Sequence, residues 1–175
     1  EEGIKKSMST RRGEYFSLND LREDLGPDVI KFFFLEKKSE HPIDFDMDLA
    51  KDESKNNPYF YAQYAYVRCC SILAKSSFNP EDEIYLEEIE KCFEIVSKAI
   101  NYPLILKEFA LERSPHSLVH FVKDFSATFH SFYEQNPVLS DDKLTSNSRL
   151  LITSITKLIL KNSFKILNVK PLEKM

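Results

Sequence analysis

Glycine is confined to the first 26 positions of this 175-residue chain: Gly3, Gly13 and Gly26 are all it has, and the following 149 residues contain none. Tight hairpins and bulged sheets lean on residues that tolerate positive φ, so a glycine-free stretch of that length points to helices joined by Pro, Asn and Ser loops. The same distribution excludes a GxGxxG fingerprint or a GxxxxGK[ST] loop, and with them a self-contained dinucleotide or P-loop site. Hydrophobic residues make up 42 % and aromatics 13 %, enough for a packed core and too much for disorder.

The net charge of −4 argues against a non-specific nucleic-acid coat, but it averages over an uneven chain. Residues 1–13 carry +2, residues 78–94 carry −6 and residues 136–175 carry +4, so both ends are basic and the middle is acidic. Three cysteines, Cys69, Cys70 and Cys92, make no even framework and no zinc-ligand spacing, a reduced pattern that leads us to expect a cytoplasmic protein. No apolar run approaches the ~20 residues that span a bilayer, and no membrane partner is expected. The chain opens on Glu1 and its first methionine is Met8, within a polar run, which reads as a piece of a larger protein.

Residues 1–13 read as a polar, basic loop, followed by a short extended piece at Tyr15 and Phe16. Ser17 is placed to cap a helix that stops at Gly26, and Pro27 opens a second with Val29, Ile30, Phe33 and Phe34. Residues 42–46 alternate like a short strand and 47–55 return to helix, giving residues 1–55 the look of a small α+β lobe. From residue 56 to 175 the pattern is wholly helical: Pro58 to about Lys75, Pro80 to about Ile100, about Leu104–Glu112, a helix from Ser114 and Pro115, and about Asp141–Leu167. In the fourth of these, Leu118, Val119, Val122, Phe125, Phe129 and Phe132 form an apolar stripe of helical period; in the last, Leu151, Ile155, Leu158, Ile159 and Ile166 are expected to face inward. The expected fold class is mainly α, a five-helix bundle preceded by the small lobe.

Most chemistry-bearing residues read as ordinary. His116, His120 and Asp124 share a helix face, but no second ligand-bearing element accompanies them; Cys69 and Cys70 lie in an apolar helix; Asp44, Asp46 and Asp48 lack the turn glycine and closing Glu of a calcium loop. No metal site is expected. Two features stand out. Met8, Ser9, Thr10, Arg11 and Arg12, preceded by Lys5 and Lys6 and followed by Gly13, combine hydroxyls, guanidinium forks and a hinge as a polyphosphate requires. The run from Asn57 to Arg68 is denser in aromatics than a core stripe needs, with Gln63 and Arg68 interleaved; rings beside amide and guanidinium groups suit unstacked RNA bases.

Five strings, MSTRRGEY, DFDMDLAKDESKNNP, YAQYAYVR, HSFYEQNPVL and the terminal LNVKPLEKM, occur in the order and near the spacing found in the C-terminal part of bacterial-type arginyl-tRNA synthetases, which this chain resembles along nearly its whole length. The resemblance implies a class I aminoacyl-tRNA synthetase. Residues 1–55 would then hold the end of the catalytic domain, with a KMSKS-like loop, and a connecting lobe; residues 56–175 would be a helical anticodon-binding domain of the DALR type. It further implies that the full enzyme uses ATP, with Mg, to activate arginine and pass it to arginine tRNA, and that it is a monomer. Ser7, Met8, Ser9, Thr10 and Arg11 occupy the KMSKS positions, so both signature lysines are absent and Arg11, Arg12 or Lys6 would supply charge to the ATP phosphates. Tyr64 matches the tyrosine of the family's QYAHAR string, Tyr133 that of its HSFY string and Met175 its terminal methionine, three positions that help form the family's pocket for displaced anticodon bases. Tyr66 and Val67 stand where the family string has His and Ala.

No HIGH-like string occurs in these residues, so the chain alone is expected to hold no ATP and not to aminoacylate, while binding the tRNA anticodon region. The competing expectation is a non-catalytic all-α interaction module whose aromatic stripe receives a partner helix.

Overall fold

The computed structural model describes residues 17–175, and the loop from Met8 to Arg12 lies outside the described residues. Among them are eight helices and no strand. Helix α1, Leu18–Leu25, starts in a capping box: the Ser17 hydroxyl accepts from the Asp20 N–H while the Asp20 carboxylate accepts from the Ser17 N–H. Gly26, at φ 78°, turns the chain directly into α2, Pro27–Leu35, whose first position takes the fixed φ of proline. Residues 42–46, expected as a strand, have no partner strand among the described residues and lead into α3, Met47–Lys51, where the Asp46 carboxylate caps the Leu49 N–H; the extended piece expected at Tyr15 and Phe16 lies outside the described residues.

The lobe does not stand apart from the bundle. Phe32 is fully buried and meets Tyr59 edge-on at 5.8 Å, so the apolar triplet 32–34 leaves only Phe34 partly exposed. Helix α4, Pro58–Ala74, begins at the buried Asn57, whose Oδ1 accepts from the Tyr59 N–H while its Nδ2 donates to the Ala50 carbonyl, tying lobe to bundle.

After α4 come α5, Leu86–Lys91; α6, Phe93–Glu112; α7, Pro115–Gln135; and α8, Lys143–Ile166. Helix α4 packs on α7 and α8, and α6 on α7. The stripe on α7 is the centre of the core: Leu118, Val119, Val122, Phe125 and Phe129 have no exposed surface. The chain itself therefore fills the surface that an interaction module would have offered to a partner helix.

Two helix boundaries and one helix face differ from the sequence expectation. Residues 79–82 form a side-chain-bonded turn in place of a helix start, and the Tyr85 N–H is taken by the Ser148 hydroxyl at 2.8 Å, so regular helix begins only at Leu86. Helix α6 runs through Pro103 without ending there. On α8 the inward assignment holds for Ile159 but not for Leu158, Ile155 or Ile166, which are exposed; Ser148, Thr153, Thr156 and Ser163 are buried in their place. Each of those hydroxyls donates to the carbonyl four residues back, so burying it leaves no orphaned donor and lets α8 lie close to its neighbours. With no glycine left, Arg113 and Asn168 take the left-handed conformations just after α6 and α8.

Candidate anticodon pocket

Helix α4 places Tyr64, Arg68, Ser71 and Lys75 along one ridge at spacings of four, three and four. With Tyr133 at the end of α7, Leu139 in the following loop and Met175 at the chain terminus, they line a cavity of about 480 Å³, large enough for a nucleobase. Tyr64 and Met175 are also the wall shared with a second cavity of about 300 Å³, whose other face includes Phe60, Tyr61 and Lys55.

Arg68 is the organising group. Its guanidinium carbon lies 4.4 Å from the centroids of both Tyr64 and Tyr133, and Nη2 donates to the Tyr64 hydroxyl at 2.7 Å. On its inner side Nη1 is 3.2 Å from Nδ1 of His130, a residue buried in α7. The structure thus brings together Tyr64, Tyr133, Met175 and Arg68, four of the five RNA-facing candidates.

Gln63 is the exception. It is fully buried, and its amide is spent on the C-terminal segment: Nε2 donates to the Lys170 carbonyl and Oε1 accepts from the Leu172 N–H, each at 2.9 Å. Asp28 accepts from the Lys170 N–H, and the Lys31 ammonium donates to the Asn168 carbonyl. Residues 168–172 are therefore strapped between α2 and α4, which delivers Met175 to the pocket rim, where it is 56 % exposed. Gln63 acts on the pocket through this strap, with no face left for RNA.

Tyr66, the position that departs from the family string, points inward. It meets Phe164 edge-on at 6.2 Å, and burial pushes its hydroxyl up to about 12. Cys69 is buried, and burial holds its thiol well above the ordinary value, which suits a small hydrophobe and not a nucleophile. Asp124, the third member of the His116 and His120 face, is held by Lys98 at 2.7 Å. Among the described residues no cluster of three or more His, Cys, Asp or Glu is arranged to hold a metal ion, and no helix is long and apolar enough to cross a membrane.

Lys75 and Leu139 line the pocket without having been singled out from the sequence. Lys75 is legible in hindsight from its spacing to Tyr64 and Arg68. Leu139 sits in a loop whose position depends on Arg149, which donates to the Pro137 carbonyl at 2.7 Å and grips Glu88 on α5 through two further bonds.

The sequence matches the DALR anticodon binding domain over residues 62–175. The chain belongs to that family. Beyond the DALR match, it is 36 % identical over 183 residues to the arginine–tRNA ligase of Dichelobacter nodosus, covering 99 % of this chain and 31 % of that protein. Among solved structures, an arginyl-tRNA synthetase from Plasmodium falciparum superposes with a TM-score of 0.73 at 32 % identity, covering 90 % of this chain and 28 % of that one. A protein from Campylobacter jejuni described as a putative arginyl-tRNA synthetase gives a TM-score of 0.79 at 23 % identity over 93 % of this chain and 36 % of its own, and shows likeness of fold. The chain spans about a third of the length of these proteins and corresponds to the C-terminal region of arginine–tRNA ligases.

Proposed function

We propose that this DALR domain binds the anticodon region of arginine tRNA, and that Tyr64, Tyr133, Arg68 and Met175 receive an anticodon base displaced from the loop. The observation that carries the reading is the Arg68 guanidinium held against two tyrosine rings at the mouth of a base-sized cavity. Aromatic faces stack bases of any sequence, and the guanidinium and Tyr64 hydroxyl offer directional hydrogen bonds that distinguish base edges. Lys75 adds a positive charge to the lining, suited to an RNA phosphate.

The protein of which this is the C-terminal region is then an arginine–tRNA ligase, acting in the cytoplasm as a monomer. It would join arginine to the tRNA through an ATP-dependent step, with Mg on the phosphates. Met8, Ser9, Thr10, Arg11 and Arg12 would serve the ATP phosphates. The chain by itself, holding no HIGH-like string, binds RNA without aminoacylating it.

An arginine-tRNA anticodon stem-loop carrying a photoreactive base in its loop tests the placement. Crosslinks to Tyr64, Tyr133 or Met175 support it; crosslinks confined to other faces of the bundle contradict it.

A further inference from the structure

His130 stands behind the pocket wall, 3 % exposed, on the turn of α7 that precedes Tyr133. Its ring is stacked with Tyr64 at 5.5 Å and tilted against Tyr61 at 4.3 Å. Its two nitrogens have partners of opposite demand. Nδ1 faces Nη1 of Arg68 at 3.2 Å, and a guanidinium can only donate; Nε2 faces the Tyr61 carbonyl oxygen at 3.2 Å, which can only accept. One protonation state satisfies both: the neutral imidazole with its proton on Nε2. A second proton, on Nδ1, would point at the guanidinium it now receives a bond from.

We propose that His130 is a positioning residue for RNA binding: its unprotonated Nδ1 fixes the Arg68 guanidinium between Tyr64 and Tyr133, and the pocket takes a base only while that nitrogen is free to accept. The inference rests on the RNA reading above and adds to it a residue that touches no RNA. The ionisable groups that bear on His130 are Tyr61, Tyr64 and Arg68 from α4 and Glu134 from its own helix. Burial, the largest effect, and the Arg68 charge hold the imidazole below its ordinary value of 6.5, while the Tyr61 carbonyl and Glu134 pull the other way. The neutral form thus prevails at neutral pH. As pH falls through the value in the folded chain, the proton expels Arg68, and affinity drops by up to about tenfold per pH unit, the limit for one linked proton. The direction is diagnostic, because acidification otherwise neutralises carboxylates and strengthens binding to a polyanion.

The test titrates the chain with an arginine-tRNA anticodon stem-loop at steps from about pH 8 to about pH 4.5, far enough below the ordinary histidine value to protonate an imidazole held down by burial. His130→Asn supplies an oxygen near the place of Nδ1 that accepts but does not protonate in this range; His130→Leu supplies none. The wild type should weaken on acidification, with the loss setting in below the ordinary histidine value of 6.5 and reaching at most about tenfold per pH unit. His130→Asn should stay close to the wild-type affinity at high pH and lose the dependence, and His130→Leu should bind weakly at every step. Thermal melting of each variant at each pH confirms that the compared species are folded. If His130→Asn fails to fold, the imidazole titration of the RNA-free wild type against Arg68→Gln serves in its place: a histidine value that rises on losing Arg68 supports the contact, and an unchanged value overturns it. Binding that strengthens or stays level on acidification overturns the positioning role alone. Absence of binding at high pH overturns the RNA reading, and this inference with it.

Discussion

Gln63 on α4 grips the backbone of the C-terminal segment with both ends of its amide, donating to the Lys170 carbonyl and accepting from the Leu172 N–H at 2.9 Å each. The two bonds reproduce what a neighbouring strand would offer, and they turn a tail with no helix of its own into a fixed wall of the pocket. Replacing Gln63 with Leu keeps the bulk and strands both backbone groups, which should cost about 1–3 kcal/mol by urea unfolding. Amide exchange at Leu172 should accelerate more than exchange in α7. RNA affinity should fall along with it, although Gln63 has no exposed surface. Unchanged exchange at Leu172 would contradict the strap.

Glu88 is held below the ordinary carboxylate value of 4.5 chiefly by its hydrogen bond with Lys91, helped by the two bonds from Arg149 and opposed by burial. A carboxylate lowered in the folded chain contributes stability that is complete above the unfolded value and lost as pH falls through the folded one. Glu88→Gln should therefore reduce stability at neutral pH by roughly 3 kcal/mol and flatten the decline below about pH 4.5, seen by urea unfolding across the acid range. Because Arg149 also holds the Pro137 carbonyl, the loop carrying Leu139 should loosen in the same variant.

Helix α6 carries a proline in its interior, where the ring removes one helical hydrogen bond and crowds the carbonyl of Ala99. Pro103 is exposed, so its removal sacrifices no core contact. Pro103→Ala should raise stability by about 1 kcal/mol or more, measured as a higher urea midpoint with unchanged slope. A lower midpoint would show that the proline itself is needed for α6 to pack on α7.

How the sequence was legible follows from which contacts are local. The starts at Pro27, Pro58 and Pro115 were readable because the fixed φ of proline acts locally, joined at Pro58 by the Asn57 cap. Pro80 and Pro103 misled because their outcome is decided at a distance: the Tyr85 N–H is taken by Ser148, 63 residues on, and α6 continues through its proline while packed on α7. On α8, counting apolar residues put Leu158 inside, whereas hydroxyls that bond to their own helix are buried at little cost. The pocket tyrosines and Met175 were legible through the family strings. Gln63 and His130 were not understood from sequence, since their partners lie 107 and 62 residues away.

The most direct measurement is the affinity of this chain for an arginine-tRNA anticodon stem-loop at two salt concentrations, wild type against Tyr64→Ala and against deletion of Met175. Both residues are more than two-fifths exposed, so the fold should survive each change. The account predicts steep loss of affinity with salt in the wild type and a further loss of about 1–3 kcal/mol, roughly five- to 150-fold, in each variant. A response flat in salt, or variants that bind as tightly as the wild type, would contradict it.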